Sequence, residues 1–200
     1  ITSAALEPEK FDNYELGLKW DIFPTLSLTA AVYRLDRTNT RATDPNDATR
    51  TVLTGAQRSK GLEIGLSGAI TPQWQVSAGY ALQDAEIRKT TSAAPAGREV
   101  PLVPKQQVSL WTRYDFTPRF GAGVGVYHQS KSFTSISNTA VLPAFTRVDA
   151  AAFFKLTPQI EAQINVENLL DSNYFSSAYN DNNIMPGAPT TARATVRMSF

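Results

Sequence analysis

Apolar residues recur at every second position through most of this chain. Leu62, Ile64, Leu66 and Ile70 alternate with Glu63, Gly65, Ser67 and Ala69, and Ile160, Ala162, Ile164 and Val166 alternate with Glu161, Gln163, Asn165 and Glu167. A period of two sends successive side chains to opposite faces, so both segments predict half-exposed β-strands. The same period runs through residues 14–22, 74–82, 108–116, 120–126, 148–156 and 192–200, and with 26–35 it predicts nine strands. In 26–35, Leu26, Leu28 and Val32 lie on one parity while Tyr33 and Leu35 lie on the other, which predicts a β-bulge near the far end of that segment. No stretch carries the 3.6-residue stripe of an amphipathic helix.

The connections fall into two kinds. Phe23-Pro24-Thr25, Thr71-Pro72-Gln73, Thr117-Pro118-Arg119 and Thr157-Pro158-Gln159 are minimal and alike, each placing Pro where its fixed φ suits the first corner of a tight turn. Residues 38–56, 88–104, 130–144 and 176–190 are long polar connections, longer than compact soluble domains ordinarily use. The chain thus repeats long loop, strand, short turn, strand. One end of the sheet is expected to carry short turns and the other long loops.

Alternation alone fits a soluble β-sandwich as well as a sheet facing lipid. Three features favour lipid. The apolar parity carries no charge within eight of the strand segments, while the opposite parity carries Glu15, Lys19, Asp21, Glu63, Arg113, Asp115, Arg147, Asp149, Lys155, Glu161, Glu167, Arg193 and Arg197. Large aromatics (Trp20, Trp74, Phe116, Phe120, Phe154 and Phe200) lie on the apolar parity where strands meet short turns, as in an aromatic girdle. The polar parity is often small, as in Gly121-x-Gly123-x-Gly125, which suits a crowded or ligand-facing interior. Strands of about 9–11 residues span a bilayer, and because backbone groups cannot be left open in hydrocarbon they must close into a barrel. The expected fold is all-β, an antiparallel transmembrane β-barrel segment of about nine strands.

Composition narrows the chemistry. With 42% hydrophobic residues, 19 basic against 18 acidic side chains, no Cys and a single His, the chain has no electrostatic footprint for nucleic acid, no thiolate metal site and no Cys nucleophile. No window approaches the roughly 18–20 apolar residues of a membrane helix, a test that does not bear on barrels. The chain opens at Ile1 without Met or a leader, the start of a mature protein or of a piece. Nine is an odd number, and single-chain bacterial barrels have an even one. Traced back from Phe200, the first strand begins on the long-loop side, so residues 1–200 are expected to be the C-terminal part of a longer barrel.

Several segments carry a family pattern. Pro8-Glu9-Lys10 with Asn13-Tyr14-Glu15-Leu16-Gly17-Leu18-Lys19, then Arg58-Ser59-Lys60-Gly61-Leu62-Glu63, then Asn165-Val166-Glu167-Asn168-Leu169-Leu170-Asp171 with Tyr174 and Phe175, resemble in order the segments shared by TonB-dependent outer-membrane receptors. Residues 194–200 resemble an outer-membrane assembly signal ending in Phe200, and Val100-Pro101-Leu102-Val103-Pro104-Lys105 is similar to the siderophore-receptor branch. The resemblance covers essentially the whole chain. It implies a barrel of about 22 strands with a plug inside it, and import of a ferric siderophore energised by the TonB complex. The plug domain and TonB-contacting segment would lie outside these residues. Implied partners are the siderophore, the TonB complex, outer-membrane lipid and, through Phe200, the barrel-assembly machinery; no covalent cofactor and no nucleic acid are expected. Thr190 stands where the family often has a basic residue after the Gly-x-Pro of the last loop.

An enzyme is not expected. His128 is alone, on the outward parity near a loop, and no Ser–His–carboxylate or paired-carboxylate arrangement follows from spacing. Asp44, Asp47 and Asp181 with nearby Asn residues lack the spacing of a Ca²⁺ loop, and turn formation accounts for them. A ferric siderophore, often anionic and aromatic, calls for Arg and flat aromatics at loop bases. On those grounds the candidate ligand-binding residues are Arg88, Arg98, Tyr127, Phe133, Phe175, Tyr179 and Asn180. Lumen charges such as Glu15, Lys19, Arg147 and Asp149 are expected to pair with one another or with the plug. A passive pore or a small structural or adhesion barrel is the alternative, and a soluble carbohydrate-binding sandwich a more distant one.

Overall fold

The computed structural model describes residues 7–199 apart from Pro45 and Ala93, so Phe200 lies outside the described residues. These residues are all strand, turn and loop, with no helix among them. One nine-stranded antiparallel meander is built from β1 (Lys10–Phe23), β2 (Leu26–Asp44), β3 (Asp47–Thr71), β4 (Trp74–Ile87), β5 (Gln106–Thr117), β6 (Phe120–Gln129), β9 (Phe145–Lys155), β10 (Ile160–Glu167) and β13 (Thr191–Met198), in that order. Two small ribbons, β7 (Ser132–Phe133) with β8 (Val141–Leu142) and β11 (Phe175–Asn180) with β12 (Asn183–Pro186), form within the long connections.

The short turns follow from their residues. In Thr-Pro-x turns the Thr hydroxyl accepts backbone N–H groups just downstream: Thr117 Oγ1 from Arg119 and Phe120 at 3.2 and 3.0 Å, Thr157 Oγ1 from Gln159 and Ile160 at 3.2 and 3.0 Å. Pro fixes the corner and Thr satisfies the donors that the hairpin leaves open.

Two expectations about the strands need correction. Residues 38–56 are not a loop: β2 and β3 continue as a hairpin beyond the sheet. Their Thr-rich sequence favours extended backbone whether or not a face is covered, although its polarity resembles that of a loop. The bulge is displaced too. Val32, Tyr33, Arg34 and Leu35 pair without a break against Leu62, Gly61, Lys60 and Ser59, and the register slips farther out, between Thr38 and Arg41 around Asn39 at φ 58° and again between Thr43 and Asp44. The change of parity at Tyr33 reflects a lumen-facing ring laid over Gly61, where an added Cβ would lie 2.9 Å from the ring.

The two faces of the sheet have different surroundings. On the outward face, Leu16, Val32, Leu62 and Leu82 form one cross-strand row and Leu18, Ala30, Ile64, Tyr80 and Val108 the next. Leu16 is 75% exposed, Val32 50% and Val196 60%. An apolar face of this extent has no protein cover because its solvent is hydrocarbon. At the short-turn end, Tyr114, Phe116, Phe120 and Phe154 contact in a chain with centroids 5.1, 5.6 and 5.2 Å apart, forming the girdle. On the inward face, Trp111 lies across Gly123 and Gly125, and Arg113 covers the Phe153 ring at 4.0 Å while donating to Asp115 at 2.9 Å. The glycine run makes room for that layer. Among the described residues, a compact apolar core forms at the long-loop end, where Ile87, Ala94 and Ile136 are buried with Ala42 and Val52 against them.

Candidate ligand-binding vestibule

The long connections are tied together above the lumen. Arg98 donates to the Ile136 carbonyl at 3.0 Å, and Asn138 exchanges hydrogen bonds with the Glu99 backbone, its Oδ1 accepting at 2.8 Å and its Nδ2 donating at 3.0 Å. These join segment 88–104 to segment 130–144. Asp181, on the turn between β11 and β12, accepts from the hydroxyls of Thr134, Ser137 (2.7 Å) and Thr139 (3.1 Å). Burial works against its charge, but these hydroxyls together with Ser135 outweigh it and hold the carboxyl below its ordinary range.

The base of the last loop is knotted by Asn168, 1% exposed and at φ 52°. Its backbone N–H donates to Asp149 at 2.8 Å, its Nδ2 to the Ser172 and Ala188 carbonyls at 3.1 and 3.0 Å, and its Oδ1 accepts from Ser172 N–H at 2.9 Å. Asn suits the post because it tolerates the left-handed conformation and carries both donor and acceptor. Thr190 completes the knot, its hydroxyl donating to the Asn168 carbonyl at 2.7 Å.

Beneath the loops lies a cavity of about 240 Å³ lined by Arg37, Arg41, Gln57, Thr134, Ser135, Tyr179 and Asn180, among others. Arg37 pairs with Glu9 at 3.0 Å and lies over the Phe11 ring at 5.0 Å, while its buried Nε has no hydrogen-bond partner among the described residues. Two guanidiniums, a phenol and a carboxamide on one cavity wall can hold a planar anionic group by charge, stacking and hydrogen bonding.

The sequence candidates divide. Tyr179 and Asn180 line the cavity, though the Asn180 side chain also caps Asn182 and Asn183 N–H at 2.9 and 2.8 Å. Tyr127 joins a second aromatic group, with Phe145 at 5.7 Å and Phe145 stacked on Tyr174 at 4.4 Å, beside Arg147, which pairs with Asp149 at 2.9 Å as expected. Arg98 ties loops together, Arg88 pairs with Glu86, Phe133 is half-buried in β7 and Phe175 is exposed on β11. Arg37 and Arg41 were not among the sequence candidates: Arg41 lies in the segment 38–56 expected as a connection, and Arg37 just before it. Turn roles account for Asp44 and Asp47, whose carboxylates accept the Asn46 and Thr49 N–H groups, and no cluster of three metal-ligating side chains occurs among the described residues. His128 is paired with Thr146 at 2.8 Å on the outward face.

The profile of the TonB-dependent receptor-like β-barrel family matches residues 1–169. The probable TonB-dependent siderophore receptor PiuA of Acinetobacter baumannii is 35% identical over 185 residues, 87% of this chain and 25% of PiuA. The catecholate siderophore receptor Fiu of Escherichia coli K12 is 32% identical over 201 residues, 97% of this chain and 26% of Fiu. The chain therefore spans about a quarter of the length of the curated relatives it matches. It superposes on the crystal structure of PiuA with a TM-score of 0.84 at 32% identity, covering 96% of this chain and 29% of that one, and on the closed form of Fiu with 0.82 at 28% identity, covering 98% and 28%. The alternating strands, the girdle and the loop asymmetry thus have a single cause, and the chain belongs to the TonB-dependent receptor β-barrel family of the bacterial outer membrane.

Proposed function

We propose that these residues form part of a receptor that imports ferric siderophores across the outer membrane, energised by TonB, and that they supply the C-terminal barrel wall and much of the vestibule while the plug is encoded elsewhere in the protein. The role is binding and transport rather than catalysis. The observation that carries the reading is the cavity where Arg37 and Arg41 meet Tyr179 and Asn180 under interlocked loops. Its 240 Å³ suits one anionic or aromatic arm of a ligand rather than a whole siderophore, since drug-sized pockets run from about 300 Å³ upward. The remainder of the ligand would extend toward the Tyr127–Phe145–Tyr174 stack and the exposed Phe175. The names of PiuA, a siderophore receptor, and Fiu, a catecholate siderophore receptor, support the class.

The test is iron-limited growth and uptake of radiolabelled iron by cells with or without the full-length gene, given a panel of ferric siderophores in turn. Growth on one siderophore class is expected to require both the gene and TonB. A charge-assisted hydrogen bond is worth about 1.5–3 kcal/mol, so Arg37→Gln with Arg41→Gln is expected to weaken ligand binding at least tenfold with the barrel still folded. Uptake independent of TonB would indicate a passive pore instead. Unchanged growth on every siderophore, with the protein in the outer membrane, would sink the siderophore assignment.

A further inference from the structure

Asp181 lies in the turn that joins Asn180 to Asn183 at the tip of the β11–β12 ribbon, and no cation is paired with it among the described residues. Its oxygens are held instead by neutral hydroxyls of segment 130–144, those of Thr134, Ser137 and Thr139. A carboxylate cradled by hydroxyls is bound as an anionic ligand would be, through donors that another oxyanion can take over one for one.

The cradle adjoins the vestibule cavity. Thr134 and Ser135 line that cavity, as do Tyr179 and Asn180, the two residues before Asp181. The donors are also oriented in advance. Ser135 Oγ accepts the Ser137 N–H at 3.1 Å and Ser137 Oγ accepts the Thr139 N–H at 3.2 Å, which engages lone pairs and leaves the hydroxyl protons for an acceptor.

The two sides of the contact differ in anchorage. Segment 130–144 is braced by the Arg98 and Asn138 bonds to segment 88–104, by Leu102 N–H donating to the Phe133 carbonyl at 2.8 Å, and by the β7–β8 pairing. The ribbon is joined to the barrel at its base, where Gly187 N–H donates to the Tyr174 carbonyl at 2.7 Å beside the Asn168 knot. Asn180 Oδ1 caps the turn, so the tip keeps its shape as a unit.

We propose that the Thr134, Ser137 and Thr139 hydroxyls are an oxyanion subsite of the ligand site, and that Asp181 fills it as an internal stand-in until an anionic ligand displaces it. The subsite rests on the reading of the cavity as ligand-binding, and adds to it a second anchor and a built-in competitor. Exchange is nearly balanced in hydrogen bonds, because those that Asp181 gives up are remade by the ligand while the freed carboxylate is hydrated at a loop tip. The balance is tipped by the cavity wall. Arg37 is already paired with Glu9, and Asp44 accepts the Asn46 N–H, but Arg41 has no carboxylate partner among the described residues. An anion that spans cradle and cavity reaches Arg41 as well as the hydroxyls, and the ribbon gives way because the hydroxyl segment is the braced side.

The test is ligand binding by the full-length receptor in detergent, measured by equilibrium dialysis with radiolabelled iron. Two probes are used, a hexadentate tris-catecholate whose ferric complex is anionic and a tris-hydroxamate of the same span whose ferric complex is neutral. A competitor that leaves a site open about a tenth of the time lowers apparent affinity about tenfold. Asp181→Ala is thus expected to bind the anionic complex about tenfold more tightly, with a correspondingly greater preference over the neutral one. In that background Thr134→Val and Ser137→Ala each remove a hydrogen bond to the anion, and each is expected to take back about tenfold. No gain for the anionic complex on Asp181→Ala, an equal gain for both complexes, or indifference of the Asp181→Ala protein to loss of either hydroxyl would each overturn the subsite. The last two outcomes would leave Asp181 as a structural clasp. The two hydroxyl variants are read independently, so misfolding of one leaves the other decisive. Binding of either probe by the unaltered receptor keeps the transport reading intact whichever way the subsite falls, whereas no binding by any of these proteins would overturn both.

Discussion

Several inward-facing glycines are the counterparts of specific rings. Tyr33 lies on Gly61, Trp111 on Gly123 and Gly125, and Tyr174 on Gly187, where a built Cβ would lie between 2.3 and 2.9 Å from the ring. At Gly61, Gly123 and Gly125 the pairing lets a bulky side chain lie flat along the wall instead of projecting into the lumen, and the cost of Gly in a strand is offset by that contact, while Gly187 makes the same room for Tyr174 in the last loop. The proposition is testable by contrast. Gly125→Val puts Cβ 2.7 Å from the Trp111 ring, and overpacking of this kind costs about 1–3 kcal/mol. Gly17→Ala, whose nearest neighbour is at 3.5 Å, is expected to be almost neutral. Unfolding midpoints of the two full-length variants check this; a Gly125→Val protein as stable as Gly17→Ala would refute the pairing.

At the scale of elements, the vestibule is held by contacts between loops rather than within them. The β11–β12 ribbon is tied to segment 130–144 through Asp181 against several hydroxyls, an arrangement with a definite pH dependence. The folded carboxyl titrates below its ordinary value of 3.8, so its contribution is complete above that value and is lost as pH falls through the lower folded value. Spin-label distances between the ribbon and segment 130–144 are expected to be constant from neutral pH down to about 4 and to lengthen below 3.8. Asp181→Asn should show no such step in that range. A step at higher pH would point to another group.

At the scale of the whole molecule, the sheet has two edges with a neighbour on one side only. β1 is exposed along nearly its full length and β13 along all of its eight residues. Unpaired edges in lipid or detergent recruit other strands. Residues 1–200 refolded alone in detergent are expected to form concentration-dependent oligomers by light scattering, whereas the full-length receptor is expected to be monomeric. A stable monomer of the 200-residue chain would show that β1 and β13 satisfy each other.

Strand identity, the direction each face points, the hairpin turns and the end that carries the long loops were all legible in the sequence, because each depends on parity or on a turn a few residues long. So was the family, through ordered motifs whose physical role is now visible: the Asn of Asn165-Val166-Glu167-Asn168 is the knot of the last loop. The strands at residues 38–56 were not legible, since they are held by cross-strand pairing and their contact with the apolar cluster, through Ala42 and Val52, is too sparse to show a period. Nor was the cavity. Arg37 and Arg41 come from strand β2 near one end of the chain and Tyr179 and Asn180 from β11 near the other, and only the packing of distant connections against the β2–β3 hairpin brings them to one cavity. Alternation decides which side of a sheet a residue faces; which distant residues it then meets is decided by loop packing, to which no short period in the sequence corresponds.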